Sequence, residues 1–513
     1  MKQQNLDPSL EAEFRKKNID RELTLSILDR FNRGEFDHFK PVQVDSLPHV
    51  DGEQIIDMTG KIEYACSIDR FRSVIEELFQ DSAPTYQYGR PQNGNILLSS
   101  NDLYHIGMRL LSKVAYGILN GGSASSYVDE KKNRSFSSEL YSLVWPAFEG
   151  AAEISRGKPK GVTPAFINPD GSPGPSFLEL KMRALLLQSM RYRRAFGPAE
   201  RELLPIFQMT SIYTDEEVNS TLRHYRSSPF LRGLDRAQHP SIFSPYTAVQ
   251  PLIAAYTHSC EGRPKRLFTN AWDMPNTLLP LPGGHGQNFA VLADIYRNLY
   301  RQGYRYAYLG NIDNLGNTVD PVSVALLALS GRQAAFEFSF KTPVDVKGGI
   351  LVKDQYGKLN AADIGPAISK DAVTQAESGG TPILFNCASG IFDLQYLSRQ
   401  IDRIARELPT RFSDQDKDAG RYSQAEQITW EIIGMMNSPL ILGVNKYDRF
   451  LASKLLLENL MTSGIGLERA GYPKELKALA HKLHQGLQRT LQGPYGLRQK
   501  DGRWIPKLPE EIK

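Results

Sequence analysis

The chain has 513 residues, 41% of them hydrophobic and 23% charged, a composition that excludes a disordered polypeptide and predicts a sizeable core divided among roughly two to four units. Its 61 basic and 57 acidic residues leave a net charge of +4, too mild a balance for a nucleic-acid-binding stripe though compatible with a local basic pocket. Cys66, Cys260 and Cys387 form neither a metal-ligand spacing nor a disulfide framework, so reduced thiols in a cytoplasm are expected.

The N-terminal MKQQNLDPSLEAEFRKK has no apolar signal core. The longest apolar runs, such as VSVALLAL from Val322, fall short of the roughly 18 residues that a membrane helix needs. A soluble protein is expected, with no membrane and no nucleic acid among its partners. Oligomeric state is left open.

In chain order, residues 1 to about 45 carry helical periodicity, with Leu23, Leu25, Ile27, Leu28 and Phe31 forming an apolar stripe that predicts a helix packed on the main body. KVAYGIL from Lys113 reads as a buried strand ending in the glycine loop NGGSASS. LPIFQMTS from Leu204 is a second strand, followed by TDEEVNSTLRHY, where Thr214 and Glu217 have the spacing of a reciprocal helix cap. YRYAYLGNID from Tyr304 predicts a strand and PVSVALLALSG a helix. AAFEFSF from Ala334 and TPILFNCAS from Thr381 predict two more strands, the latter followed by the helix LQYLSRQIDRIARELP. ELKALAHKLHQGLQRTL predicts an amphipathic helix ending near Gly493. Strands alternating with helices imply a doubly wound α/β sheet, in which ligands bind beyond the carboxyl ends of the strands. Polar clusters recur at those ends: Asn120 to Ser126, Asn311 to Asn317, and Asn386 onward.

Gly121 and Gly122 allow backbone amides to approach a phosphate or a base, and serve equally as a plain turn. Lys158 and Lys160, in GKPKG, are read as surface lysines or as cations lining a pocket. The run PLPGGHGQNF sets His285 on a backbone open to a ligand; nucleotide contact through its glycines is set against a tight turn. Asp313, at a strand end, is read as a Mg²⁺ ligand or a helix cap, the flanking polar residues favouring the metal. Asp345 and Lys347 share a face if extended, as a salt bridge would. Lys454 precedes an apolar helix that could deliver its ammonium into a cleft.

The ordered set LNGGSASS, SFLELKMR from Ser176, LPIFQMTSIYT, PGGHG, NIDNLGNTVDP, KTPVDVKGG, Phe385-Asn386 and RFLASK from Arg449 resembles the UTP–glucose-1-phosphate uridylyltransferase (UDP-glucose pyrophosphorylase) family, which includes UDP-N-acetylglucosamine pyrophosphorylases, over about Leu119 to Leu460. The resemblance implies a glycosyltransferase-A-like α/β nucleotidyltransferase fold, with a mixed, mostly parallel central sheet flanked by helices. By the same resemblance Gly121, Gly122, Met209, Gln250, Gly284 and His285 contact the nucleotide, Gln250 reading uracil. Lys160 and Lys454 meet the phosphates, Asp313 holds Mg²⁺, and Asn311, Gly349 and Asn386 hold the sugar. The expected organisation is an N-terminal segment 1–105, a nucleotidyltransferase domain 106–460 with an insertion at about 127–156, and a short helical segment 461–513 in place of the relatives' β-helical C-terminal domain.

Departures from the family pattern gather on the sugar side. Ile350 stands where a threonine is common, Asp363 where a longer glutamate is frequent, and CASG follows Asn386 in place of an asparagine-rich run. Ala124, Ser125 and Thr210 also depart. The implied reaction joins UTP and a sugar 1-phosphate, with glucose 1-phosphate first in line, into a UDP-sugar and pyrophosphate. A UDP-sugar-dependent glycosyltransferase and a catalytically inactive nucleotide-sugar-binding protein are the alternatives.

Overall fold

The computed structural model describes residues 7–37, 42–79, 87–234, 236–342, 345 and 348–511. Eight strands make the through-path of the central sheet: β1 (Ile55–Asp57), β2 (Val114–Leu119), β3 (Ile206–Ser211), β4 (Tyr246–Gln250), β5 (Tyr306–Asn311), β6 (Ala334–Phe340), β7 (Leu384–Asp393) and β8 (Leu440–Val444), in the order β1-β8-β6-β7-β5-β2-β3-β4. Every neighbouring pair is parallel except those made by β7, which runs antiparallel to both β5 and β6. The sheet is therefore mixed and mostly parallel. The reversal of β7 brings Asn386, near the chain start of that strand, to the rim where the parallel strands end.

Side chains alternate between two apolar layers, as they must in a sheet buried on both faces. Tyr116 and Ile118 of β2, Tyr306 and Tyr308 of β5, and Leu440 and Leu442 of β8 enter one layer. Ala115, Leu119, Ala307, Leu309 and Ile441 enter the other. Helices Ser100–Leu110, Phe177–Phe196 and Pro321–Ser330 supply residues to the first layer, and Ala293–Arg301 and Leu394–Glu407 to the second.

Several helices start where short polar side chains accept the orphan N–H groups of the first turn. Ser176 accepts from Glu179, Asp320 from Val322 and Ser323, and Asp393 from Tyr396. Thr214 does not cap as its spacing predicts. Its hydroxyl turns back to the Ser211 N–H at 3.0 Å, and helix Asp215–His224 starts without a side-chain cap. The local strand-end turn outcompetes the helix for that hydroxyl.

Helices Pro8–Lys16 and Arg21–Asn32 precede the sheet. Ile27 and Leu28 are buried, with Leu23, Leu25 and Phe31 packed around them against Ile253 and Tyr256. Residues 130–155 form three helices, Glu130–Phe136, Ser138–Leu143 and Trp145–Ser155, the last two of which share an apolar core with helix Leu456–Thr462 just after Lys454. The C-terminal helix Lys474–Gln492 ends at Gly493 and is followed by the hairpin Leu497–Lys500/Arg503–Pro506. Arg183, 1% exposed, binds that region to the core through the carbonyl oxygens of Tyr495 and Phe230, each at 2.6 Å.

Candidate functional site

A cleft of about 970 Å³ opens at the carboxyl end of β5 and the chain start of β7, with Phe450, Ala452 and Lys454 from the segment beyond β8 on its wall. His285, Asn311, Asp313, Gly349, Asn386 and Lys454 line it together, although they lie up to 169 residues apart in sequence. A two-stranded flap, Gly349–Asp354 and Leu359–Asp363, pairs onto β7 at Ile350–Phe385 and adds Asp363 and Ala361 to the wall.

Asp313 does not cap the helix that follows; Asp320 does, which leaves the Asp313 carboxylate on the cleft. The loop bearing it is held from two sides. From below, the ammonium of the fully buried Lys181 donates to the carbonyl oxygens of Asn314 at 2.6 Å and Asn317 at 2.7 Å. Burial drives the Lys181 pKa well below its usual value, and the two carbonyls replace part of the lost hydration. From the side, Asn314 bonds the main chain at Arg449 and Leu451, both at 3.0 Å, so that the RFLASK segment runs beside the Asp313 loop. Gly316 is required at this crossing, because a Cβ there would lie 2.3 Å from the Arg449 carbonyl carbon.

Arg449 anchors the same segment in the sheet. Its guanidinium pairs with Glu337 of β6, which is 1% exposed, and donates to the Tyr308 hydroxyl at 2.7 Å and the Thr318 carbonyl at 3.0 Å. Ser389 satisfies the second Glu337 oxygen at 2.8 Å. A buried ion pair with its remaining lone pairs filled is rigid and strongly position-determining. Five residues on, Lys454 is exposed on the cleft wall.

The residues expected to meet the nucleotide are linked to each other. Gln250, at the end of β4, donates from Nε2 to the Gly284 carbonyl at 2.7 Å and to Gln287 Oε1 at 2.8 Å. Its Oε1 lies 3.4 Å from where a Cβ on Gly121 would stand. Gly284 has φ +81° and its missing side chain leaves room for the Gln427 main chain. The Gly122 carbonyl accepts from the Lys160 N–H at 2.9 Å. The Thr429 N–H donates to His285 Nδ1 at 3.2 Å, so the neutral ring carries its proton on Nε2. Burial, reinforced by the Lys454 charge, pushes the His285 pKa down to about 4, which keeps the ring neutral at physiological pH.

Gly121, Gly122, Gln250 and Gly284 are not among the residues that line the cleft, and two further expected contacts lie deeper. Met209 is 2% exposed in the apolar layer beneath the sheet, and only its carbonyl touches the glycine loop, accepting from Asn120 N–H at 2.8 Å. Lys160 is 7% exposed and lies behind the cleft wall, its Nζ 2.9 Å from the centre of the Tyr127 ring and 5.0 Å from that of Phe177. That ammonium has no hydrogen-bond acceptor. Desolvation brings its pKa down to about 7, opposed by the charges of Asp313 and Glu458. Asp345 pairs with Lys446, and Lys347 lies outside the described residues.

Arg411, Trp430 and Glu431 form a further group on the cleft whose convergence no local sequence pattern marks. Glu431 was discoverable as a lone carboxylate inside the apolar run WEIIGMM. Among the described residues, no group of three or more histidine, cysteine or acidic side chains could hold a metal ion. Asp313, with one carboxylate facing open space, suits an ion that arrives with substrate phosphates, because Mg²⁺ takes one or two carboxylates and completes its shell with phosphate oxygens and water.

Residues 265–463, which carry His285, Asn311, Asp313, Asn386 and Lys454, match the family model described as UTP–glucose-1-phosphate uridylyltransferase. That matched stretch is 199 of the 513 residues. A probable UTP–glucose-1-phosphate uridylyltransferase of Schizosaccharomyces pombe is 25% identical over 194 residues, 37% of this chain and 33% of the relative. The Solanum tuberosum enzyme of that name is 23% identical over 254 residues, 49% of each chain. The chain thus spans between a third and a half of the curated relatives' own length.

Among solved structures, a UDP-N-acetylglucosamine pyrophosphorylase of Trypanosoma brucei in complex with an inhibitor superposes with a TM-score of 0.57 at 16% identity, covering 94% of this chain and 91% of that one. A mutant UDP-glucose pyrophosphorylase of Leishmania major in complex with UDP-glucose gives a TM-score of 0.52 at 16% identity, covering 89% and 79%. These likenesses establish the nucleotidyltransferase fold. No helix among the described residues is long and apolar enough to cross a membrane.

Proposed function

We propose that this protein is a uridylyltransferase that converts UTP and a sugar 1-phosphate, glucose 1-phosphate first among candidates, into a UDP-sugar and pyrophosphate. The observation that carries the reading is the convergence of His285, Asp313 and Lys454 on one cleft whose floor is the strand-end rim of a nucleotidyltransferase sheet.

In the proposed reaction an oxygen of the sugar phosphate attacks the α-phosphorus of UTP in line. A new P–O bond forms, the bond from the α-phosphorus to the bridging oxygen breaks, and pyrophosphate leaves with that electron pair. The nucleophile is already an anion, so no general base is required. The protein's work is to hold two polyanions together and to spread their charge.

Lys454 supplies a mobile ammonium from the cleft wall, and neutral His285 donates through Nε2–H. Lys160 adds a cation from behind the glycine loop once an arriving phosphate raises its pKa. Gly121, Gly122, Gln250 and Gly284 form the base-side rim, while Asn311, Gly349 and Asn386 border the sugar. Asp313 would hold Mg²⁺, which when bound neutralises phosphate charge. Three free cysteines, two of them buried, agree with the cytoplasmic location we propose.

The test is pyrophosphate release from UTP with glucose, galactose and N-acetylglucosamine 1-phosphates in Mg²⁺, paired with the reverse assay. Formation of UTP from a UDP-sugar and pyrophosphate separates this reading from a glycosyltransferase. UDP-sugar binding with no turnover in either direction would show a nucleotide-sugar-binding protein instead.

A further inference from the structure

The Lys160 ammonium rests on an aromatic ring and not on the cleft. Its Nζ lies 2.9 Å from the centre of the Tyr127 ring, is buried, and has no hydrogen-bond acceptor among the described residues. Lys454 and Asp313 line the cleft, and Lys160 does not. For a desolvated cation without acceptors, attraction to the negative face of a ring is the main compensation left, and it strengthens as water is excluded. The Lys160 N–H meanwhile donates to the Gly122 carbonyl at 2.9 Å. The main chain of Lys160 is thus seated at the glycine loop while its charge lies behind the wall.

Tyr127, 3% exposed, is itself held firmly. Its N–H donates to the Ala124 carbonyl of the glycine loop at 3.1 Å. Its carbonyl accepts from the Leu456 N–H at 2.9 Å and from the Asn133 side-chain amide at 2.9 Å. The fully buried Asn133 in turn accepts from the Leu457 N–H at 2.8 Å. Leu456 and Leu457 open helix Leu456–Thr462, so the insertion supplies acceptors for orphan N–H groups of that helix's first turn. Lys454 precedes the helix by two residues, and its N–H donates to Glu458 at 2.8 Å. The segment that presents the Tyr127 ring to Lys160 therefore also caps the helix behind Lys454.

We propose that Tyr127 is a positioning residue whose ring is the resting seat of the Lys160 ammonium, from which a polyphosphate draws that cation toward the cleft and to which it returns as pyrophosphate leaves. This rests on the uridylyltransferase reading for the identity of the polyphosphate, and deepens it by giving the insertion a part in binding and release. The carboxylates of Asp313 and Glu458 also favour the charged form of Lys160, but no acceptor competes with the ring for it among the described residues. A seat that attracts the free cation competes with bound phosphate for it. Removing that attraction tightens polyphosphate binding, which is the opposite of what damage to a merely structural ring does.

The experiment is calorimetric titration of the full chain with UTP and with inorganic tripolyphosphate, which carries the charge without the base. At pH 6, below the Lys160 pKa of about 7, Tyr127→Leu should bind both about fivefold more tightly than wild type. By about pH 9 the free lysine is neutral in both proteins, and the gain should vanish. Tyr127→Phe keeps the negative face and should stay within about twofold of wild type. Pentafluorophenylalanine at position 127 keeps a ring but removes that face, so it should reproduce the gain even if the Tyr127→Leu chain fails to fold. In a Lys160→Met background neither replacement should change affinity. In turnover at pH 6, Tyr127→Leu should lower KM for UTP and strengthen product inhibition by pyrophosphate by a similar factor. Unchanged or weakened tripolyphosphate affinity at pH 6 in the Tyr127→Leu and pentafluorophenylalanine proteins, or an equal gain in Lys160→Met, overturns the inference. Tripolyphosphate affinity that follows these shifts, in a protein that neither prefers UTP over tripolyphosphate nor releases pyrophosphate, upholds the seat and defeats the uridylyltransferase reading.

Discussion

The side-chain amide of Asn314 donates to the carbonyl oxygen of Arg449 at 3.0 Å, across 135 residues of sequence. Its oxygen accepts from the Leu451 N–H at 3.0 Å. This pair of bonds is the joint between the loop that carries Asp313 and the segment that carries Lys454.

Breaking that joint should uncouple the two groups without removing either. Asn314→Ala is expected to lower kcat by about 10–100-fold, since small misplacements of charge are costly in phosphoryl transfer, while KM for UTP changes less. Steady-state kinetics checks this, and a double-mutant cycle with Lys454→Ala should be strongly non-additive. Additive losses would mean that Asn314 acts on stability alone.

The Glu337–Arg449 pair should dominate stability near the site. Arg449→Met leaves Glu337 as an uncompensated charge that is 1% exposed, at an expected cost of about 3–5 kcal/mol. Urea unfolding measures it. Replacing both together, as Glu337→Gln with Arg449→Met, should recover part of the loss, because the orphaned charge is gone.

Two pH dependences follow from burial. Lys160 titrates near 7 in the free protein, so kcat/KM for UTP should fall as pH rises through that value, while kcat holds to higher pH because bound phosphate favours the ammonium. Lys160→Arg should remove the decline, since a guanidinium does not deprotonate in that range. His285 works in the opposite window. Its pKa falls from 6.5 to about 4 on folding, so between those values the unfolded chain binds more protons and stability is lost as pH falls. The loss attributable to His285 should be about 2–3 kcal/mol. His285→Asn should flatten the acid limb of stability measured by urea unfolding across pH 4 to 7.

The strands were legible because apolar runs such as VAYGIL and YAYLGN are buried on both faces and bounded by polar turns. The antiparallel sense of β7 was not, since periodicity reports burial and is blind to strand direction. Asp313 stood out because polar neighbours crowd a strand end. Lys160 was harder to place: its sequence context, between glycines and prolines, says nothing of Tyr127 and Phe177, which arrive from the start of the insertion and from another helix. Met209 shows the reverse error, a strand residue whose side chain faces the lower core while only its main chain meets the glycine loop. Arg411, Trp430 and Glu431 converge from a hairpin and a 3₁₀ turn, a long-range juxtaposition with no local pattern.

The most direct measurement is pyrophosphate release from UTP and glucose 1-phosphate in Mg²⁺ by wild type, Lys454→Ala and Asp313→Ala. Wild type should turn over, Lys454→Ala should lose about 100- to 1000-fold in kcat with uridine binding intact, and Asp313→Ala should lose activity together with its Mg²⁺ dependence. Lys454→Ala at the wild-type rate, or full Mg²⁺-stimulated activity in Asp313→Ala, would contradict the assignment of these side chains to the reacting phosphates.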